Sequence, residues 1–456
     1  MPWIRCGLLT AAAFLAALLG VLTQARTSPA SDYPNSIRRP RGIYAVVVLG
    51  ETRDAGRVDL DALASNPAVS GLAIRTFWST LQPAKDRYDF SRLEAAFASA
   101  AAAHKTVQLI LIPGFGTPGW VLSELSSCDD VEPPPEGTGG RAGAARGGRP
   151  KTAHGGRAGA ASGGHGATPS CGKASFVVSE GRAHGQKQEL PLPWNPVYKS
   201  YWKAFLTEVA ARFGARDDFV SIAVAGPTAE SVEIILPRAG DQLERWGQLI
   251  QLFYRDPSYQ RSNKAIVDEW DAAVTVFGDV FRNVTIVVTR GSGLLDFTRG
   301  QGHSAQASIV SSFAAHAVGA NAKATQTSGM KACRETEAGI KGVKELSSNG
   351  SYSPPILGGA QFNTSFSQKP AAEGCAASCD AAAPACQGIT PAQALSNVLS
   401  VYFDGTPVGA LYGASKGAAR MNYLQIYEKD IRFASTQPAV QAVLEQASHR
   451  LLMQAR

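Results

Sequence analysis

The sequence has few of the residues that build metal centres. Its 456 residues include seven histidines, and no two of them stand at the four-residue spacing that puts a pair of ligands on one helix face. Three of the seven, His154, His165 and His184, fall in a glycine-rich stretch with little apolar content. The sequence therefore favours chemistry without a metal, and we predict neither a metal nor another cofactor.

A phosphate-binding P-loop is also missing, and only one segment is apolar over nearly the length of a membrane span. That segment is 7–23, which follows Arg5 and precedes small residues around Ala25 and Ala30. A charged start, an apolar centre and a small-residue end are typical of a secretory signal peptide, predicted here at 1–30. The alternative is an uncleaved signal anchor. We expect a secreted or periplasmic protein with no other stable insertion into a membrane.

The basic character of the chain comes from one segment. The formal net charge is +7, and residues 137–188 carry eight Lys or Arg and one acidic residue, so the remainder is formally neutral. Within it, GGRAGAARGG at 139–148 recurs almost unchanged as GGRAGAASGG at 155–164. So glycine-rich a stretch cannot offset its ordering entropy, which predicts a flexible insertion over 129–190.

Two functional interpretations of this insertion differ in what it contacts. We predict no nucleic-acid binding, because no Phe, Tyr or Trp lies among the arginines of the two repeats to stack on bases. Adhesion to an acidic polymer or a membrane surface through Arg and Lys is the alternative to a simply solvated segment.

Removal of the signal would leave six cysteines, an even number that favours disulfides in an exported protein. Cys128 and Cys171 flank the basic insertion, and a bond between them would close its base. Cys375, Cys379 and Cys386 lie close together in an alanine-rich loop, where a zinc site is the alternative. No histidine lies nearby to complete such a site, so we predict disulfides.

Short apolar runs recur along the chain and alternate with helical patterns. The runs lack a 3.6-residue period and end at turn residues, which is typical of strands buried on both faces of a parallel sheet. Eight strands with intervening helices predict a (β/α)8 TIM barrel over 31–456, with the low-complexity insertion after strand three. The eight predicted strands are 43–49, 69–74, 107–112, 219–225, 284–289, 322–327, 355–362 and 423–427.

Helix signals separate most of these runs. Ser91 and Glu94 have the spacing of a capping box, which predicts a helix that continues to 103. Asn195 and Pro196 form a cap and first-turn pair for a helix over 194–213. Further helices are predicted at 265–281, 339–346, 391–402 and 439–452.

Two stretches of the first half resemble a known enzyme superfamily. The run GLAIRTFWSTLQPAKDRYDF at 71–90, followed by a helix and by LIPGFGTPGW at 111–120, resembles the opening half of the retaining (β/α)8 glycoside hydrolases, especially the β-galactosidase and cellulase-like members. The run LPWNP at 192–196, with Tyr198 and Trp202, is similar to the helix that precedes their acid/base strand. The resemblance covers roughly the first half of the chain and does not name a substrate.

The resemblance implies a mechanism with two carboxylic groups about 5 Å apart. The acid/base residue is expected after strand four, where Glu230 is the first choice and Glu233 the reserve. The asparagine that usually precedes this glutamate in the superfamily is missing. The nucleophile is expected after strand seven, where this chain has Gln361, an amide that cannot form a glycosyl ester. Glu428 is the nearest alternative, and Asp296 and Glu335 are others.

Sugar sites also need aromatic faces and polar groups that pair with hydroxyls. Aromatic residues in predicted loops after strands are the candidates for stacking, although each one alone is more often part of a core. Arg75 is expected to orient a carboxylate, with a structural ion pair as the alternative. The predicted substrate-binding residues are Arg75, Trp78, Phe115, Trp120, Trp194 and Gln361.

We therefore predict a glycoside hydrolase that cleaves a β-linked glycan, with a carbohydrate as its substrate partner. The competing hypothesis is a barrel that binds carbohydrate without catalysis, which Gln361 and the missing Asn-Glu pair suggest. A surface adhesion protein that acts through the basic insertion is the third.

Overall fold

The structure, a computed structural model, describes residues 37–50, 58–131, 171–179, 183–316, 323–327, 346, 348–352, 355–362, 388–404 and 421–454. The chain divides into the units Met1–Ile37 and Arg38–Arg456, and the described strands and helices belong to the second. No helix in these ranges combines the length and the apolar character needed to cross a membrane. The predicted signal segment lies outside the described residues.

Eight parallel strands in the described part of the chain close into a barrel. In chain order these strands are β1 (Gly42–Leu49), β2 (Val69–Phe77), β3 (Thr106–Ile112), β4 (Phe219–Ala223), β5 (Thr285–Gly293), β6 (Lys323–Thr327), β7 (Leu357–Gln361) and β8 (Tyr423–Tyr427). All eight predicted strands are confirmed, as is the (β/α)8 fold. Neighbours pair in the order β4-β3-β2-β1-β8-β7-β6-β5, and a β4–β5 pairing closes the ring.

Helices follow most of the strands. Short helical segments at Trp78–Leu81 and Gly119–Ser123 come directly after β2 and β3 or their loops. The longer helices in the described ranges are α1 (Leu60–Ser65), α2 (Ser91–Ala102), α3 (Pro196–Phe213), α4 (Gln242–Phe253), α5 (Lys264–Val280), α6 (Gln301–His316), α7 (Pro391–Asp404), α8 (Glu428–Ser435) and α9 (Pro438–Gln454).

The two helix starts that were predicted from caps have different outcomes. In α3, the Asn195 side chain accepts from the backbone N–H groups of Val197 and Tyr198, both at 3.0 Å, so this cap is confirmed. In α2, Ser91 is already helical, and it donates its hydroxyl to Asp89 at 2.6 Å instead of capping. The predicted capping box is therefore wrong. Glu94 is free to pair with Arg212 of α3, because its carboxylate is not needed at the helix start.

Four of these helices, α1, α4, α6 and α8, were not predicted. The last is instructive because it begins at Glu428, the first residue after β8, with no loop between strand and helix. The predicted helix 339–346 falls mostly outside the described residues. Cys333, Cys375, Cys379 and Cys386 also lie outside them.

Part of the predicted flexible insertion is an ordered hairpin. The strands Lys173–Val177 and Lys187–Pro191 pair in antiparallel fashion, and Phe176 stacks on Trp246 of α4 with ring centroids 4.6 Å apart. Cys128 and Cys171 form a disulfide with Cα atoms 5.2 Å apart, at the start of this hairpin. Within the predicted insertion 129–190, these residues therefore form regular structure, which the ring contact joins to α4 and the disulfide joins to Cys128 after β3. The glycine-rich repeats lie outside the described residues.

Two tyrosines and the glycines that face them fill part of the barrel lumen. Glycine is required where a tyrosine crosses the lumen, because a Cβ on Gly359 would lie 2.0 Å from the Tyr423 ring, and one on Gly71 would lie 2.5 Å from the Tyr44 ring. The two tyrosine rings meet edge to face, with centroids 6.1 Å apart. Towards the carboxyl ends of the strands, the lumen contains a pocket that side chains from several strands line.

Candidate active site

A small pocket opens at the carboxyl ends of the barrel strands. Arg75 from β2, Gln108 from β3 and Gln361 from β7 line it, together with Glu233. The cavity volume is about 20 Å³. One buried water needs roughly 10–15 Å³ on the same measure, so the pocket is small. In (β/α)8 barrels this end carries the functional groups, so the pocket is the candidate site.

Glu233 reaches the pocket through a short extra strand. The segment Glu233–Ile235 pairs with the end of β5, which continues four residues beyond the predicted strand. Glycine makes this approach feasible, since a Cβ on Gly293 would lie 2.7 Å from the Ile235 Cα. The position of Glu233 therefore depends on a three-residue pairing too short to have a sequence signal.

The loop between β4 and this short strand is tightly held. The Thr228 hydroxyl lies 2.7 Å from the Ser231 carbonyl oxygen and 2.9 Å from that of Glu233. The Ser231 hydroxyl accepts from the Glu233 backbone N–H at 3.0 Å. This loop has no regular strand pairing, and these local hydrogen bonds fix the direction of the Glu233 backbone instead.

Glu230, three residues earlier, has a different environment. Its carboxylate accepts from the backbone N–H of Ser179 at 2.7 Å and from the Ser179 hydroxyl at 2.9 Å. Ser179 lies just beyond the first hairpin strand. Arg75 donates to the Glu230 backbone carbonyl at 3.3 Å. The Glu230 side chain thus attaches the hairpin to the loop after β4, while its main chain contacts the arginine of the pocket.

A chain of buried amides lies beneath Arg75. Gln326 of β6 donates to the side-chain oxygens of Gln361 and of Gln425, both at 3.0 Å. Gln425 of β8 donates in turn to the Gln108 oxygen at 2.6 Å. We call Gln108, Gln326, Gln361 and Gln425 the glutamine network; each is at most 5% exposed.

Tyrosine hydroxyls end this network. Tyr423 donates to the Gln326 oxygen at 2.9 Å, and Gln361 donates to the Tyr427 hydroxyl at 3.2 Å. Burial raises the pKa of Tyr423, so this phenol keeps its proton. The network is uncharged and keeps one pattern of donors and acceptors over the ordinary pH range.

The aromatic residues predicted to bind substrate do not line this pocket in the described part of the chain. Trp78 is completely buried and donates its indole N–H to Gln82 at 2.8 Å. Trp120 packs edge to face on Tyr201, with centroids 5.0 Å apart. Trp194 is 9% exposed and packs against Trp246, Phe253 and Tyr254. Phe115 is half-buried in the loop after β3.

The other predicted carboxylates are engaged elsewhere. The Glu428 carboxylate lies 2.7 Å from the Arg432 Nε, one turn further along α8. Asp296 accepts from the Gly302 backbone N–H at 2.7 Å at the start of α6. Glu335 lies outside the described residues. Of the predicted site residues, the structure brings together Arg75, Glu233 and Gln361, and the assignments of catalytic and binding roles stay predictions.

The sequence interpretation missed Gln108, Gln326 and Gln425. A signal for them exists, since each is a lone amide in a run that is otherwise buried, as in TVQLILI and YLQIY. A polar side chain in such a strand must find a partner inside the barrel, because burial without a hydrogen bond is costly. Among the described residues, no three His, Cys, Asp or Glu side chains are grouped as ligands for a metal.

No protein-family model matches the sequence, and no curated protein matches it either. The structure is similar to that of xylanase 10B from Thermotoga maritima, with a TM-score of 0.43, 8% identity, and coverage of 90% of this chain and 96% of that one. A cold-adapted β-galactosidase from Rahnella sp. R3 aligns with a TM-score of 0.46, 10% identity, and coverage of 93% of this chain and 58% of that one. Endo-glycoceramidase II from Rhodococcus sp. aligns with a TM-score of 0.43, 11% identity, and coverage of 87% of this chain and 76% of that one.

Proposed function

We propose that this chain is a glycoside hydrolase that acts on a β-linked glycan at the mouth of the barrel. One observation carries the proposal: a carboxylate, Glu233, shares a pocket at the carboxyl ends of the strands with the Arg75 guanidinium and several amides. A carboxylic group supplies the proton transfer that glycosidic cleavage needs, and amide and guanidinium donors suit the oxygens of a sugar.

Within this proposal Glu233 is the acid/base residue, in preference to Glu230. The two bonds from Ser179 occupy one oxygen of the Glu230 carboxylate and give that side chain a positional role. Glu233 instead lines the pocket beside Arg75. Glu230 then serves as a positioning residue, because it holds the hairpin next to the loop that carries Glu233.

A second candidate function is glycan binding without hydrolysis. It is favoured by the amides of the glutamine network, which occupy the pocket positions where a two-carboxylate mechanism needs its second acid. Gln361 at the end of β7 is the clearest case, since it is hydrogen-bonded on both sides as an amide.

A panel of chromogenic β-glycosides tests the proposal with three variants. We expect Glu233→Gln to lower kcat by about 10² to 10⁴-fold, the usual contribution of a general acid or base. Glu230→Gln keeps an acceptor for Ser179, and it should change kcat by less than about tenfold on the same scale. Glu445→Gln, on α9 and hydrogen-bonded to Gln441, is the matched control, and its turnover should equal that of the unmodified chain.

The results separate the two functions. Full activity of Glu233→Gln would contradict the assigned role, and loss of activity in Glu230→Gln alone would restore Glu230 as the acid. Measurable binding of a glycan by calorimetry with no turnover of any glycoside would favour the second function.

We also propose that the protein works outside the cytoplasm. The apolar segment 7–23 supports export, and a disulfide between Cys128 and Cys171 suits an oxidising compartment. Mass measurement of the mature protein, together with fractionation of the producing cell, tests export and cleavage near residue 30. A full-length chain in the cytoplasmic fraction would contradict it.

A further inference from the structure

A second and larger cavity lies between the loop that follows β4 and the helices α3 and α5. Its volume is about 90 Å³. It shares no lining residue with the pocket that contains Glu233, so it is separate from the candidate active site. Most of its walls are apolar, with Leu236 and Val276 among the aliphatic side chains.

The size of this cavity suits a single six-membered ring. One buried water needs roughly 10–15 Å³ on the same measure, so the cavity holds about six groups of that size. Ala272, which is exposed on α5, belongs to the lining. The cavity therefore reaches the protein surface beside α5, where a small molecule in solution has access to it.

The wall contains four aromatic rings, those of Tyr198, Trp202, Trp246 and Phe277. Trp202 and Phe277 come from two different helices, with ring centroids 6.4 Å apart. Aromatic rings attract one another in offset-stacked or edge-to-face arrangements, beyond the effect of buried area alone. An aromatic occupant would therefore gain more from this wall than a saturated molecule of equal size.

One polar group of the wall has no partner. The Nε1 of Trp202 is buried and makes no hydrogen bond to the described residues, and Trp202 as a whole is 7% exposed. An indole N–H donates and does not accept, so only an acceptor completes it. A buried donor without a partner is costly. An acceptor atom on the occupant would remove that cost.

The charged residues of the wall favour a neutral occupant. Lys199 and Glu269 both line the cavity. The Lys199 ammonium donates to both oxygens of the Glu269 carboxylate, at 2.8 and 3.1 Å, so the two charges already compensate each other. An anion would be repelled by the carboxylate and a cation by the ammonium.

We propose that this cavity binds a small neutral aromatic molecule, a single ring with one hydrogen-bond acceptor, as in a phenol. The Trp202 indole N–H donates to the acceptor, and the ring packs against the aromatic wall. This site does not depend on the proposed hydrolysis of glycans. It borders the loop that carries Glu233, because Thr228 lines the cavity and its hydroxyl lies 2.9 Å from the Glu233 carbonyl oxygen.

Calorimetry with phenol and the full chain tests the location of the site. We expect saturable binding of one phenol per chain. Ala273→Phe places a ring in the cavity from the half-buried face of α5, and it should abolish this binding. Ala392→Phe is the matched control, because Ala392 is a half-buried alanine of α7 that does not line the cavity. It should bind phenol like the unmodified chain.

A comparison of phenol with toluene tests the hydrogen bond from Trp202. Toluene has the shape of phenol without the acceptor, so the ratio of the two affinities reports on that bond separately from any change in cavity shape. Trp202→Phe should lower the ratio of phenol affinity to toluene affinity by about two- to tenfold. Trp120→Phe, which removes an indole that donates to the Gln82 carbonyl, is the control and should leave the ratio unchanged.

Cyclohexanol tests the preference for an aromatic ring. It keeps the hydroxyl and the ring size of phenol but lacks the π-system, so it should bind about two- to tenfold more weakly.

The results decide between this site and others. Absence of saturable phenol binding, or binding that survives Ala273→Phe, would overturn the inference. An unchanged phenol-to-toluene ratio in Trp202→Phe would contradict the acceptor, and equal binding of cyclohexanol would contradict the aromatic class. Loss of phenol binding in Glu233→Gln would place the probe in the candidate active site instead. If Trp202→Phe does not fold, the two alanine variants still decide the location, and failure of every glycoside substrate would leave this inference standing.

Discussion

Two regions of this barrel, one on each side of the strand wall, are held together in opposite ways. Inside, the glutamine network and two tyrosines form a chain of directional hydrogen bonds. Outside, between the strands and α3, Trp78 packs against Trp202 and Phe205 with ring centroids 5.1 and 5.6 Å away. We call the rings of Trp78, Tyr198, Trp202, Phe205 and Phe277 the aromatic cluster.

The comparison teaches where chemistry is available in such a fold. The aromatic cluster buries large rings, each at most 8% exposed, and its members gain most of their stabilisation from non-directional contact. The lumen instead keeps polar groups whose hydrogen bonds have a direction, and one end of that chain faces a pocket. The aromatic residues were the stronger signal in the sequence, yet the polar lumen forms the candidate site.

Truncation in the aromatic cluster should have the largest effect on stability. Trp78→Ala removes a ring that is completely buried, so the free energy of unfolding should fall by about 3–5 kcal/mol. Urea denaturation followed by circular dichroism measures it. Trp120→Ala, which removes a half-buried ring of the neighbouring loop, should cost clearly less. An equal cost for both would show that burial in the cluster does not set the difference.

A substitution at the centre of the glutamine network should have a smaller effect. Gln326→Met leaves the Tyr423 hydroxyl and two amide oxygens without their partner, at a cost of about 1–3 kcal/mol. The double variant with Gln425→Met should cost less than the two single changes together, because partners are removed jointly. Strict additivity in the unfolding free energies would argue against a connected network.

The smallest expected effect is a difference in pH dependence between the two regions. Burial raises the pKa of Glu269, which lies beside the aromatic cluster and pairs with Lys199 at 2.8 Å. A carboxyl with a raised folded-state pKa stabilises the fold below its unfolded pKa of about 4.3, and this contribution is lost as the pH rises through the folded pKa.

Glu269→Gln should therefore remove part of the decline in stability above about pH 4.3. The lumen amides do not titrate, so Gln326→Met should lower stability by the same amount at every pH. Urea midpoints from pH 4 to 7 measure both variants. A decline that is unchanged in Glu269→Gln would refute the electrostatic cause.

The strands were predictable because their signal is local. A short apolar run bounded by turn residues predicts a strand without reference to the rest of the chain. A strand that is apolar on both faces is typical of a parallel sheet covered by helices. The cap at Asn195 is local in the same sense. The capping box at Ser91 could not be judged from spacing alone. The Asp89 carboxylate accepts from both the backbone N–H and the hydroxyl of Ser91, the two groups that the capping box would use.

The candidate site was only partly predictable. Arg75, Glu233 and Gln361 follow from their positions after strands, since the carboxyl ends of all strands meet at one mouth. Gln108 and Gln425 are 317 residues apart in sequence, and their hydrogen bond has no local trace. The separation of Glu233 from Glu230 likewise depends on the short pairing with β5 and on Ser179 from a remote hairpin.

By itself, then, the sequence determined the eight strands and the (β/α)8 fold that they build. Those features follow from burial and turn chemistry within each segment. Only the tertiary structure decided which glutamate lines the pocket, which aromatic rings are core, and which glutamines meet inside the barrel. Hydrogen bonds and packing between distant strands set these, because their partners become neighbours only once the barrel has closed.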